Sequence, residues 1–193
     1  MLRVRNIITS VLLIGMMICE FNSCNLSYKN KLTNEVSSFL GKRIEMPKKM
    51  TYFGFNESPS FLKENISRII VWCDSSECAA CSMKSMYLFE EIANFCKDSV
   101  NEAELVFIFS PSSKEKEMVI TNLELSRPIY DVYVDENGEM SRLNDFMPSL
   151  KELHVFLLDK KNVVQLSGCP VLNSRLTDMY KKKLKQLSYI YYH

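Results

Sequence analysis

The sequence predicts an α/β domain: a central mixed β-sheet with helices on both faces, closed by a β-hairpin and a C-terminal helix. Three observations carry this. Two continuous apolar runs, Ile69-Ile70-Val71-Trp72 and Leu105-Val106-Phe107-Ile108-Phe109, have the length and composition of strands covered on both sides. Helical periodicity separates the strands, and alternating β and α units imply parallel strands with helices packed on them. Near the end, Val155 to Leu158 and Val163 to Leu166 flank Asp159-Lys160-Lys161-Asn162, which reads as a hairpin.

The chain opens on a segment with the makeup of an export signal. Arg3 and Arg5 form a basic start, and Ile7 to Ile18 is apolar apart from Thr9, Ser10 and Gly15. This run is shorter than the roughly 20 residues a membrane-crossing helix needs, and it fits a signal core. Ser23-Cys24 supplies the small residue before cysteine that bacterial lipoprotein processing requires, so Cys24 is the expected lipidation site. Cys19 follows Met17-Ile18, which are too bulky for that processing. An uncleaved anchor and a simple secreted chain are the alternatives. The expected organisation is a signal over 1–23, a lead-in over 24–65, one domain over 66–187 and a tail over 188–193. The expected location is the periplasm or the outer membrane, anchored at Cys24.

The 193 residues contain 24 basic and 23 acidic side chains. The signal holds two of the former and one of the latter, which leaves 22 of each. A balance near zero argues against nucleic acid as a partner. Lys181-Lys182-Lys183 with Lys185 reads as the solvated face of a terminal helix. The mature length suffices for a full hydrophobic core.

In the lead-in, Leu32, Val36, Phe39 and Leu40 recur at helical spacing and Gly41 is the stop. Ile44 to Pro47 reads as a short extended piece and Thr51 to Ser60 as irregular. Arg68 to Trp72 is a buried strand. Ala79 to Cys96 reads as one helix, with Met83, Met86, Phe89 and Ile92 on one side; core packing accounts for the methionines better than thioether copper ligation does. After the strand over 105–109 comes a helix over Glu115 to Leu125, then a strand over Ile129 to Val134. Asp135-Glu136-Asn137-Gly138 is a turn by composition, and Ser174 to Leu187 is the last helix.

Chemistry concentrates at Cys78-Ala79-Ala80-Cys81, directly after a strand and at the head of a helix. A helix N-terminus carries partial positive charge and unpaired N–H groups, so it favours a thiolate there. Two cysteines at this spacing are suited to disulfide exchange, and they are also half of a zinc site or a passive small-loop disulfide. Asp74 and Glu77 would oppose the thiolate if they lie close. With Cys19 and Cys24 assigned to the signal and its processing, Cys73, Cys96 and Cys169 complete an odd set of five. Cys73 and Cys96 read as packing, and Cys169 as a free thiol or a partner for Cys73.

Val71-Trp72 followed by Cys78-Ala79-Ala80-Cys81, and Phe156-Leu157-Leu158-Asp159 ahead of the hairpin, resemble the thioredoxin superfamily, most closely its exported TlpA/ResA-like branch. Gly41-Lys42-Arg43-Ile44-Glu45-Met46-Pro47 and Ser167-Gly168-Cys169-Pro170 resemble the thioredoxin-like lipoproteins of Bacteroides-type bacteria. The resemblance implies a thioredoxin-like fold over about 66–187. It also implies a thiol–disulfide oxidoreductase of the cell envelope; by position, Cys78 on the N-cap side is expected to be the more exposed sulfur and the nucleophile, and Cys81, one turn in, the resolving thiol. Its partners would be envelope protein thiols or disulfides and a redox partner protein, and no cofactor beyond the disulfide is needed. Two features depart from the family pattern. The loop from Cys73 to Glu77 is longer than usual, and the proline that relatives place opposite the cysteines is replaced at Leu153-His154. His154 therefore opens an alternative: a copper or zinc carrier using Cys78, Cys81 and His154, similar to Sco-type copper carriers, which have a wider cysteine spacing. A non-catalytic binding module is the third reading.

Overall fold

The computed structural model describes residues 26–54, 65–98 and 103–189. The expected signal and Cys24, the expected lipidation site, lie outside those residues. Helix α1 covers 26–39 and ends where Gly41 takes the left-handed conformation (φ 77°), a turn glycine adopts without a Cβ penalty. Within α1, Lys31 and Glu35 pair across one helical turn. The chain divides into two compact units, residues 1–37 and 38–193.

The second unit is built on a six-stranded mixed sheet. Its strands are β1 (Thr51–Phe53), β2 (Ser67–Cys73), β3 (Ala103–Phe109), β4 (Asp131–Val134), β5 (Val155–Leu158) and β6 (Val164–Ser167), in the spatial order β1-β4-β3-β2-β5-β6. β2, β3 and β4 run parallel, and β1, β5 and β6 pair antiparallel with their neighbours. The parallel core and the closing hairpin are those the sequence predicts. β1 is a correction: Thr51 to Phe53 read as irregular chain but form an edge strand on β4. Its register pairs Tyr52 with Tyr133, whose rings lie 5.1 Å apart. A three-residue strand has too little periodicity to be visible without its partner.

Alternate residues of the strands face opposite layers, as the pleat requires. On one side Ile69, Phe107, Val132 and Leu157 pack with Phe89 and Ile92, Leu123, and Tyr180 and Leu184. On the other side Ile70, Trp72, Ile108 and Phe156 pack with Phe39, Ile44 and Met140. Phe39 and Ile44 come from the lead-in, and Arg43 bridges to Val163. Residues 38–54 thus belong to the same compact unit as the sheet.

The helices are α2 (Ala79–Ser85), α3 (Glu90–Lys97), α4 (Lys116–Ser126), α5 (Glu139–Leu143) and α6 (Ser174–Tyr189). The single helix expected over Ala79 to Cys96 is α2 and α3 joined by a 3-10 turn, Met86–Phe89. The Ser85 hydroxyl donates to the Ser82 carbonyl at 3.0 Å, a side-chain bond that competes with the helical ladder. Ser85 itself departs from helical geometry (φ −95°, ψ 0°). The turn keeps Met86 and Phe89 on the core side. In α6, the buried Tyr180 hydroxyl lies 3.0 Å from the Val155 carbonyl and 2.9 Å from that of Gly168, and so ties the helix to the closing hairpin.

Candidate functional site

The loop after β2 folds back through its own polar groups. Asp74 accepts from the Ser76 amide and hydroxyl at 2.8 and 2.7 Å, an Asx turn of the kind aspartate favours. The Asp74 carbonyl accepts from the Glu77 amide at 3.1 Å. This brings Cys78, in extended geometry, to the N-cap of α2. Cys78 and Cys81 are joined as a disulfide, with Cα atoms 5.3 Å apart. Both residues are exposed. The Cys81 amide points at Cys78 Sγ, 3.3 Å away, and the Cys78 carbonyl accepts from the Cys81 and Ser82 amides at 3.0 Å each. Cys81 is not the shielded member of the pair. Within α2 only Ala79 is buried, and the next core residue, Met86, belongs to the 3-10 turn that follows.

The other three cysteines among the described residues are free, so the expected alternative of a Cys73–Cys169 pair does not hold. Cys73 ends β2 beneath the site, 3.5 Å from the Ser82 hydroxyl. Burial, with Glu77, Asp74 and Glu115 nearby, outweighs that contact and pushes its thiol up to about 11. Burial pushes Cys96 up to about 12 and raises Cys169. At neutral pH these three are protonated thiols, poor as nucleophiles and as ligands.

His154 is where the structure corrects a candidate role. It closes the short turn Lys151–Leu153 and stands just before β5. Its carbonyl accepts from the Trp72 amide at 2.9 Å, and the two rings lie 4.5 Å apart. Nδ1 meets Glu77 Oε1 at 2.8 Å and Nε2 meets the Pro148 carbonyl at 3.0 Å. With an acceptor at each nitrogen, the ring is best satisfied as an imidazolium that donates twice, and neither nitrogen has a lone pair left for a metal. Among the described residues no group of three or more His, Cys, Asp or Glu side chains could hold a metal ion. The structure does not assemble Cys78, Cys81 and His154 as a ligand set.

What it assembles instead is an ion pair at the base of the cysteine loop. His154 and Glu77 are 77 residues apart in sequence, and only the β2–β5 pairing brings them together. No spacing rule links them. Burial acts against the charged ring, the Glu77 carboxylate and the Pro148 carbonyl act for it, and the net result is a pKa above the ordinary histidine value. A raised folded-state pKa contributes stability that is complete below the unfolded value of about 6.5 and is lost as pH rises through the folded value. Stability measured by urea unfolding should therefore fall from pH 6 into the alkaline range. The slope should flatten in His154→Asn, and Glu77→Gln should move its midpoint down. An unchanged pH profile in His154→Asn would show that the pair does not set it.

A second buried network supports the loop. Trp72 Nε1 donates to Ser110 Oγ at 3.0 Å, and Ser110 donates to Asp135 Oδ2 at 3.1 Å. Asp135 also accepts from the Glu139 and Met140 amides at 2.9 and 2.8 Å, which caps α5. Composition places Asp135 in a turn and leaves α5 unforeseen. The turn is present, and the aspartate that opens it is also the cap of the helix that follows.

No protein-family profile and no curated protein matches the sequence. Solved structures do. A thioredoxin-like superfamily protein superposes with a TM-score of 0.50 at 11% identity, covering 76% of this chain and 96% of that one. A thioredoxin-like protein of Porphyromonas gingivalis gives 0.44 at 18% identity, over 66% and 78% of the two chains. The thioredoxin domain of a thiol–disulfide oxidoreductase of Bacteroides vulgatus gives 0.42 at 7% identity, over 72% and 96%. At these identities the likeness is one of fold.

Proposed function

We propose that this chain, whose fold is thioredoxin-like, is a thiol–disulfide oxidoreductase of the bacterial cell envelope. The observation that carries the reading is the exposed Cys78–Cys81 disulfide at the start of α2. A partner thiolate attacks Cys78 Sγ, the Cys78–Cys81 bond breaks, and Cys81 leaves as a thiolate that takes a proton from solvent. The partner is then joined to Cys78 through a mixed disulfide. In the reverse direction Cys78 attacks a partner disulfide and Cys81 resolves the product. The Cys81 amide aimed at Cys78 Sγ favours negative charge on that sulfur. Glu77 would oppose it, but its charge is balanced by His154. Among the described residues the remaining thiols, Cys73, Cys96 and Cys169, are buried or held protonated, which leaves one reactive pair there.

Envelope placement is supported by the signal-like composition of residues 1–23 and by Ser23-Cys24, a small residue before cysteine that suits lipoprotein processing. A lipid on Cys24 would hold the domain at a membrane, where envelope protein thiols or disulfides and a redox partner protein are the substrates. The test is a redox titration of the full chain in glutathione buffers, read by alkylation and mass. The expected result is one reversible two-electron couple confined to Cys78 and Cys81, with Cys73, Cys96 and Cys169 unlabelled near neutral pH. The absence of a reversible couple would sink the reading in favour of a passive disulfide.

A further inference from the structure

One wall of the cysteine site continues into an apolar groove with a volume of about 640 Å³. Ala80, which lies between the two cysteines, forms part of its lining. The groove runs between α2 with its 3-10 turn and the segment from the end of α4 to the start of β4. Three of the most exposed large apolar side chains among the described residues line it: Leu125 at 78%, Ile129 at 71% and Tyr87 at 67%. Clustered exposure of this kind around a concavity marks an interaction surface rather than stray surface apolarity. Two cations, Lys84 and Arg127, also line it, and no carboxylate does.

We propose that this groove receives the residues flanking the reactive cysteine of a protein substrate: an extended segment with a large aliphatic side chain and a carboxylate beside that cysteine. The inference rests on the exchange reading of Cys78 and Cys81. Continuity identifies the occupant. A chain joined by sulfur to Cys78 lies over α2 beside Ala80, so its neighbouring residues meet the groove. The aliphatic side chain covers Tyr87, Leu125 and Ile129, and the carboxylate faces Lys84 and Arg127. The groove then supplies substrate preference, while the sulfur chemistry itself needs only the two cysteines.

The experiment follows the opening of the disulfide in the full-length oxidised chain by three reductants. These are dithiothreitol, a short cysteine peptide with leucine and aspartate beside the cysteine, and the same peptide with glycine at both places. The leucine–aspartate peptide is expected to react roughly tenfold faster than the glycine peptide, the scale set by burying one aliphatic side chain. That ratio should fall toward one in Tyr87→Ser/Ile129→Ser and fall in part in Lys84→Glu. It should hold in Met179→Ser, a change at an exposed apolar side chain on α6. Equal peptide rates in a protein that dithiothreitol opens would overturn the groove proposal and leave exchange intact. No opening by dithiothreitol would instead remove the exchange reading and this inference with it. Two further outcomes also overturn it: binding of decanoate with no peptide preference assigns the groove to acyl chains, and a dimer that dissociates in Tyr87→Ser/Ile129→Ser assigns it to a second copy.

Discussion

On the exchange reading, replacing Cys78 by serine should bring disulfide exchange down to background, and replacing Cys81 by serine should leave a protein that forms mixed disulfides but cannot release them. The first loss should be roughly a thousandfold or more, since removal of a nucleophile acts on that scale. The asymmetry follows from the Cys81 amide, which is aimed at Cys78 Sγ from 3.3 Å. Exposure does not distinguish the two sulfurs, because both residues are open to solvent. Only the backbone does, by placing Cys78 at the N-cap with an N–H to stabilise its anion and Cys81 inside the first turn. Insulin reduction measures the loss, and mass spectrometry of the non-reduced protein detects the trapped adduct. Adduct accumulation in Cys78→Ser rather than in Cys81→Ser would reverse the assignment.

Replacing Asp135 by alanine should destabilise the domain by about 3 kcal/mol or more, although the residue touches no sulfur. Asp135 is fully buried and accepts three hydrogen bonds, from the Ser110 hydroxyl and from two amides at the start of α5. Hydrogen bonds to an ionised acceptor contribute about 1.5–3 kcal/mol each, and buried donors left without partners add a desolvation cost. α5 has only five residues and loses its cap with the change. The damage should spread to Trp72 through Ser110, so the near-ultraviolet signal of the single tryptophan should change with the urea midpoint. Asp135→Asn keeps one acceptor oxygen and should lose less. A midpoint within about 0.5 kcal/mol of the parent protein, the range of ordinary surface substitutions, would show that the network adds little.

Where sequence patterns are local, they suffice. The runs at β2 and β3 are apolar on both faces because both faces are covered, and a strand with one solvated face would alternate instead. The hairpin between β5 and β6 announces itself through Asp159, whose carboxylate accepts from the Lys161 and Val163 amides at 2.8 and 2.9 Å. The break in the helix after α2 is not visible in the sequence, because Ser85 is an acceptable helix residue until its hydroxyl takes the Ser82 carbonyl. β1 is not visible either, since Thr51 to Phe53 is too short to show alternation. The role of His154 is half visible. Counting back from Phe156 places it near the cysteine loop, but does not show that Glu77 and Pro148 occupy both its nitrogens.

The sequence by itself determined which two cysteines are the candidate pair, because the spacing of Cys78 and Cys81 and their place after an apolar strand are properties of the chain. It also determined the layered α/β architecture, through periodicity that each segment carries alone. The tertiary structure decided what the loop and its strand pack against: the His154–Glu77 pair, the Trp72–Ser110–Asp135 chain and the groove beside Ala80. Each of these joins residues that are remote in sequence, and a contact of that kind exists only once strand order and register are set. Local patterns fix elements, while charge balance and substrate fit at a site depend on which elements become neighbours.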